Sequence, residues 1–385
     1  MSSTRPTTAL KLVPPWRDDL DPPVENGSPS LTIINFVLRM GVIGALILCI
    51  VGSFSYAAGW LSPDLLTQTK IVSGLELVNG IHPGFRRNHA KGLCITGYFD
   101  SNGNGVAWSK ADVFKPGRAP VIGRFSIPGG NPYMADGPAV ARGMALAFRP
   151  TGEEEWRTAM LNLPVFAVNS AQGFYDQVLA MKPDPATGKP DPGNVKAFFA
   201  AHPESARAVA IIKSQPFSSG FDNSTFNGLD AFWFENAAGS NTPIRWSMVP
   251  VDEYQPENPT ESATPDKNYL FDDFITRIQS GPVQWHMILT VGQPGDPTDD
   301  ATIPWPANRQ HIDAGMLAID RVESEGPGTC RDINFDPLVL PFGITPSADP
   351  LLSARSAVYS QSFRRREGEK KTPSAVRVPD TRDGG

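Results

Sequence analysis

The chain is short of the residues from which disulfide scaffolds and metal clusters are built: its 385 residues hold three cysteines and five histidines, and no Cys-x-x-Cys pair. A zinc or iron–sulfur site therefore has too few ligands. Excess positive charge is missing too. Against 40 Asp and Glu stand 34 Lys and Arg, for a net charge of −6, so there is no basic footprint for a phosphate backbone, and nucleic acid is not expected as a partner. A Walker loop, a Gly-x-Ser-x-Gly elbow and a His-Glu-x-x-His helix are absent as well. What is plentiful is proline, 38 residues, and glycine, 35. That composition argues against an all-helical bundle and for many short elements joined by turns, while 40% hydrophobic residues suffice for a sizeable core.

One segment departs from these averages. Met40–Leu61 carries no charge, and the apolar stretch Leu31–Leu38 precedes it across Arg39. A run of about 20 apolar residues is long enough as a helix to cross a bilayer. The expected organisation is a polar, disordered leader over 1–30 on the cytoplasmic side, a transmembrane anchor over 31–61, one globular domain over 62–366 and a charged, frayed tail over 367–385. Arg39 at the edge of the span supports the orientation. Ser55-Tyr56-Ala57 resembles a small-x-small cleavage site, so a signal segment, cleaved or uncleaved, is the alternative.

Within the domain, strands are expected at Leu93–Phe99, Val121–Ile127, Met144–Phe148, Val165–Val168, Ala231–Glu235, Trp285–Val291 and Met316–Ile319. Helices are expected at Gly173–Met181, Val195–Ala201, Tyr269–Ile278 and Pro350–Arg366. Strands in neighbouring groups favour an α+β fold, an antiparallel sheet or barrel with attached helices.

Asp100-Ser-Asn-Gly-Asn104-Gly105 matches the first half of an EF-hand loop, but the twelfth position is Ala111 and a strand precedes it. It reads as a polar turn rather than a calcium site. Gly103-x-Gly105 lacks the third glycine of a dinucleotide loop. Cys94 lies in a strand and Cys330 in a late loop. They are able to pair if the domain is exported, but a lone strand cysteine more often serves as a small buried hydrophobe. Of the histidines, His82, His202, His286 and His311 carry no context beyond a structural one. His89 differs, because it sits in Arg86-Arg-Asn-His89-Ala-Lys-Gly92 and is followed by Gly97-Tyr98-Phe99.

That string resembles the distal-histidine segment of the haem catalases, Arg-x-x-His-Ala-(Lys/Arg)-Gly. Further segments match in order: Arg124-Phe-Ser126, Arg142-Gly143, Asn162-Leu-Pro-Val-Phe166, Phe226-Asn-Gly228, Asn334-Phe-Asp-Pro337, and Arg355-Ser-Ala-Val-Tyr359. The resemblance runs from about residue 68 to 366 and implies a catalase-like antiparallel barrel binding haem b. It implies Tyr359 as the iron ligand, with Arg355 one helical turn before it favouring the phenolate. His89 is then the distal base, Asn162 the amide that bonds peroxide and Ser126 the hydroxyl that orients the imidazole. Arg86, Arg124 and Arg366 would meet the propionates, and Phe166 would flank the macrocycle.

There are departures from the family pattern. Arg87-Asn88 replace two valines before His89, Val140 stands where an acidic residue lines the peroxide channel, and Ser360-Gln-Ser362 follow the tyrosine. The chain ends 26 residues after Tyr359, so the C-terminal helical part of full catalases is not expected. These features resemble the small catalase-related peroxidases. The implied activity is reduction of hydrogen peroxide, with organic peroxides also accessible, by an external donor with weak catalase turnover. The implied place is the periplasmic face of the inner membrane, and an oligomer is compatible with it. The alternatives are a lipid hydroperoxide isomerase of the allene oxide synthase type and a haem-binding sensor or carrier.

Overall fold

A computed structural model describes residues 33–379 apart from 59, 62–64, 138–140, 151–153 and 258–266. The chain falls into two units, residues 1–64 and 65–385. In the first, the leader expected over 1–30 lies outside the described residues. Its described part is helix α1 (Ile33–Ala57), in which Asn35–Ala57 is long and apolar enough to cross a membrane and none of it is buried.

The second unit opens with α2 (Gln68–Asn79), capped by the Thr67 hydroxyl. The strands follow: β1 (Gly92–Ser101), β2 (Gly117–Ser126), β3 (Gly143–Phe148) and β4 (Trp156–Leu161). Helices α3 (Ala171–Ala180), α4 (Pro192–Ala201) and α5 (Pro203–Lys213) come next, then β5 (Phe226–Asn227), β6 (Phe232–Glu235) and β7 (Asn241–Pro250). After α6 (Tyr269–Ile278) come β8 (Val283–Val291), β9 (Gln310–Glu323), β10 (Ile344–Pro346) and α7 (Pro350–Glu367). Strands run in the order β7-β5-β4-β3-β2-β1-β9-β8, and β8 pairs back onto β7, so eight antiparallel strands close a barrel with β6 and β10 attached at β7. Closure removes the edges of these eight strands.

Period-two alternation decides what faces where. In β2, Phe125 points inward and packs on Phe221 at 4.8 Å and Phe274 at 4.7 Å. Trp156, Phe148, Phe99, Trp246 and Trp285 complete a fully or nearly fully buried aromatic core. The lumen is thus filled. Arg124 and Ser126, one residue to either side of Phe125, turn outward instead, toward α2, α3 and α7. The barrel wall bends at a bulge between Thr96 and Gly97. A Cβ on Gly97 would lie 2.0 Å from the Ala318 carbonyl, so glycine is required there.

Three expectations need correction. Val165–Val168 forms no strand: it follows Pro164 as irregular chain, and Val165 and Val168 are buried loop anchors between β4 and α3. Cys94 and Cys330 are not separate buried thiols but a disulfide with Cα atoms 5.5 Å apart, because pairing of Cys94 with Glu323 brings the loop after β9 back across β1. The tail is not frayed from 367 onward. Val376 is fully buried, the Gly84 amide donates to Glu369 at 2.7 Å, Arg331 donates to the Thr372 carbonyl at 2.5 Å, and the Val378 amide donates to Ser324 at 2.8 Å. Partners distant in sequence hold what its charge suggested was solvated.

Candidate active site

A cavity of about 320 Å³ lies between the outer faces of β2, β3 and β4 and helices α2, α3 and α7. Its walls are mainly aliphatic and aromatic, with a few polar groups converging from three directions, the usual make-up of a small-molecule site.

From α7 come Arg355, Tyr359, Ser362, Phe363 and Arg366, one face of the helix at i, i+4, i+7, i+8 and i+11. The helix begins where sequence rules place it: the Asp349 carboxylate accepts the Leu351 amide at 2.9 Å and Pro350 takes the first position. Arg355 lies 5.9 Å from the centre of the Tyr359 ring. It donates to the buried Asp230 carboxylate and, at 3.1 Å, to the Ala159 carbonyl. Burial opposes the charge on Arg355, but Asp230 and the Tyr359 oxygen more than offset it and raise its pKa. The guanidinium is therefore permanently charged beside the phenol.

On the opposite side, His89 lies in the loop leading into β1. Its φ of +53° is the only positive value at a non-glycine among the described residues. The Asn88 side-chain oxygen holds this conformation, accepting the His89 amide at 3.0 Å and the Gly129 amide at 2.8 Å. His89 Nδ1 is 3.0 Å from Ser126 Oγ. Ser126 is placed by register, opposite Gly92 on β1 and Gly143 on β3. A Cβ on Gly143 would fall 2.9 Å from Ser126 Oγ and 3.3 Å from His89 Nδ1, so any larger residue would push the pair out of place. Burial first, then the charges of Arg124, Arg355 and Arg86, push the imidazole pKa down from 6.5 to about 3. His89 is neutral at any ordinary pH.

At one end stand three arginines, Arg86, Arg124 and Arg366. Arg86 donates to Glu325 at 3.0 Å and to the carbonyls of Cys330 and Ile333 at 3.1 and 2.9 Å. Arg124 donates to Glu325 at 2.5 and 3.2 Å. Arg366 donates to the Arg331 carbonyl, and burial lowers its pKa to about 10.

Eight of the nine residues expected from sequence, His89, Ser126, Tyr359, Arg355, Arg86, Arg124, Arg366 and Phe166, line this one cavity. Asn162 does not. Its neighbours Leu161 and Leu163 do, while its side-chain oxygen accepts the Arg142 amide at 2.6 Å. Val140 lies outside the described residues. The remaining histidines are elsewhere and partnered: His82 on the Asn79 carbonyl, His202 between Asp176 and Glu204, His286 on Asp313 and His311 on Thr290. At the EF-hand-like loop, Arg118 bonds both Asp100 oxygens at 2.7 Å, so that carboxylate is committed to an arginine. Asp230, Asn88 and Glu325 carried no motif that marked them as part of the site, and Gly143 was legible only as the second residue of the Arg142-Gly143 segment. The only signal was position: Asp230 follows Phe226-Asn-Gly228, and Asn88 directly precedes His89.

The family described as Catalase matches residues 55–382. The chain is 38% identical over 316 residues to a catalase-related peroxidase of Synechococcus elongatus, covering 82% of this chain and 92% of that protein. It is 27% identical to a catalase-related peroxidase of Mycolicibacterium paratuberculosis, covering 81% and 96%. Among solved structures, a bacterial catalase superposes with a TM-score of 0.66 at 23% identity, over 74% of this chain and 58% of that one. This last likeness is one of fold, and the chain spans about three fifths of that larger protein.

Proposed function

Because the chain belongs to the catalase family and is an oxidoreductase acting on peroxide, we propose that it is a haem b-dependent peroxidase that reduces hydrogen peroxide with an external donor and has weak catalase turnover. The observation that carries this reading is the convergence on one apolar cavity of a phenol beside a fixed guanidinium, a neutral imidazole on a serine, and three arginines.

This donor set fits haem. The Tyr359 oxygen would hold the iron as phenolate, a hard anionic donor suited to ferric iron, with Arg355 stabilising its charge. Arg86, Arg124 and Arg366 would meet the propionates as charge-assisted hydrogen-bond donors, and Phe166 would lie against the macrocycle. When bound, haem supplies the redox chemistry that splits peroxide. The protein moves the proton. With Nδ1–H donated to Ser126, His89 Nε2 carries a lone pair that takes a proton from one peroxide oxygen and returns it to the other, which leaves as water. A pKa of about 3 keeps that nitrogen unprotonated before peroxide arrives. Asn162 stands outside the cavity lining with its oxygen on the Arg142 amide, so the proton path is assigned to His89 and Ser126.

For α1 we read a membrane anchor, with the enzyme domain in the periplasm. The helix and the Cys94–Cys330 disulfide support this, since such bonds persist in oxidising compartments.

The test is a pair of rates on purified protein, oxygen evolution and dye oxidation by hydrogen peroxide, each per bound haem. Dye oxidation is expected to exceed oxygen evolution. Protein that binds no haem, haem protein inert in both assays, or conversion of a lipid hydroperoxide to an allene oxide as the only turnover would overturn the proposal.

A further inference from the structure

Behind the arginines at one end of the cavity lies a carboxylate for which the chemistry above has no use. Glu325 lies just after β9 in Ser324-Glu-Gly-Pro327, is 5% exposed, and puts both oxygens on arginines that line the cavity. Burial alone would raise its pKa, but Arg124 and Arg86 more than offset this and hold it below the usual carboxylate range. Glu325 is therefore an anion. Its loop is fixed: Cys330, five residues on, is bonded to β1 and gives its carbonyl to Arg86 at 3.1 Å.

Buried cations are costly unless paired, and the charge of Arg86 is opposed by burial and by both Arg124 and Arg366. We propose that Glu325 is a built-in counter-ion that sets the charge of the arginine end before a ligand arrives and so tunes the site to a ligand with two carboxylates. Arg331 also acts on Glu325 but is turned away from the cavity onto the Thr372 and Gly84 carbonyls, so the three cavity-lining guanidiniums less one carboxylate leave a net charge of +2. A porphyrin with two propionates cancels it. This inference rests on the haem reading above and adds the charge on which loading depends.

The experiment reconstitutes the full chain with haemin or with haemin dimethyl ester, which lacks carboxylates, and follows transfer of the porphyrin to an excess of an apo-globin acceptor. Glu325→Gln raises the arginine end to +3. It is expected to hold haemin more tightly, with transfer roughly tenfold slower than in the parent protein, and to leave transfer of the ester unchanged. Glu325→Asp keeps the charge and is expected to restore the parent rate. If Glu325→Gln does not fold, Glu325→Gln/Arg86→Gln, back at +2, is expected to fold and to return haemin transfer toward the parent rate, and its failure to fold would overturn the proposal. Faster loss of haemin and ester alike from Glu325→Gln would mark a purely structural residue, and an unchanged haemin rate would also overturn it. A parent protein that takes up neither porphyrin takes the haem reading down as well, and so differs from failure of this inference alone.

Discussion

On the α7 face of the cavity the groups that matter are charged and paired: Arg355 on Asp230, with Tyr359 one helical turn further on. On the His89 face they are neutral and hydrogen-bonded, an imidazole on a hydroxyl and a left-handed backbone held by one carboxamide. The first face suits a group that must be stabilised as an anion. The second suits a group that must accept a proton and give it back, and the nearby charges of Arg124 and Arg86 help keep it unprotonated until it does. The contrast also predicts how each face fails. Loss of a charge on the α7 face removes the cofactor, whereas loss of a hydrogen bond on the His89 face removes the rate.

The largest effect is expected from Tyr359→Phe, which takes away the only hard anionic donor α7 offers the cavity. Purified variant protein is expected to lack the haem absorption of the parent, and a variant with an unchanged spectrum would remove Tyr359 as iron ligand. His89→Ala is expected to keep the absorption and lose about 10²–10⁴-fold in dye oxidation, the usual contribution of a positioned general base. Equal turnover in that variant would erase the division of labour between the faces.

The two faces differed in how much of them the sequence disclosed, and for a physical reason. Arg355 and Tyr359 are four residues apart on one helix, so their meeting follows from local geometry. Tyr269–Ile278 was located to the residue for the same reason, its apolar face being periodic. His89 and Ser126 are 37 residues apart, and only the antiparallel register of β1 on β2 and of β2 on β3 brings them to Gly143. Glu325, Asp230 and the clasp of the tail on Arg87 depend on separations of 125 to 282 residues, and neither spacing nor composition carries that information. Asn162 failed in the opposite way: its motif was legible, but in the folded chain its oxygen turns to the Arg142 backbone.

Gly143→Ala sharpens the comparison on the His89 face without touching a reacting group. Its methyl would crowd Ser126 Oγ at 2.9 Å and His89 Nδ1 at 3.3 Å, so the imidazole must shift by a few tenths of an ångström. Misplacement on that scale is expected to cost roughly tenfold in turnover, with haem content and the pH profile of haem binding unchanged. Loss of haem instead would show that β3 supports the cofactor rather than the base.

The smallest effect is one the two faces hide from each other. His89 titrates at about 3 when folded, against 6.5 as a free imidazole, so the unfolded chain binds the extra proton and this group lowers stability as pH falls from about 6.5 toward 3. Asp349, at the start of α7, is pushed up from 3.8 to about 7 by burial and by Asp230. Here the folded chain binds the extra proton, and stability is lost as pH rises from about 4 through 7. Between about pH 4 and 6.5 the slopes have opposite sign and similar size, so the parent protein is expected to show nearly flat stability from these two groups. His89→Gln leaves the Asp349 slope alone, and denaturant melts should lose up to about 1.4 kcal/mol per pH unit on going up. Asp349→Asn, which keeps a good helix cap, leaves the imidazole slope and should gain up to about as much in the same direction. Parallel curves for the two variants would mean that the neutral imidazole and the protonated cap are not opposing features of the folded state.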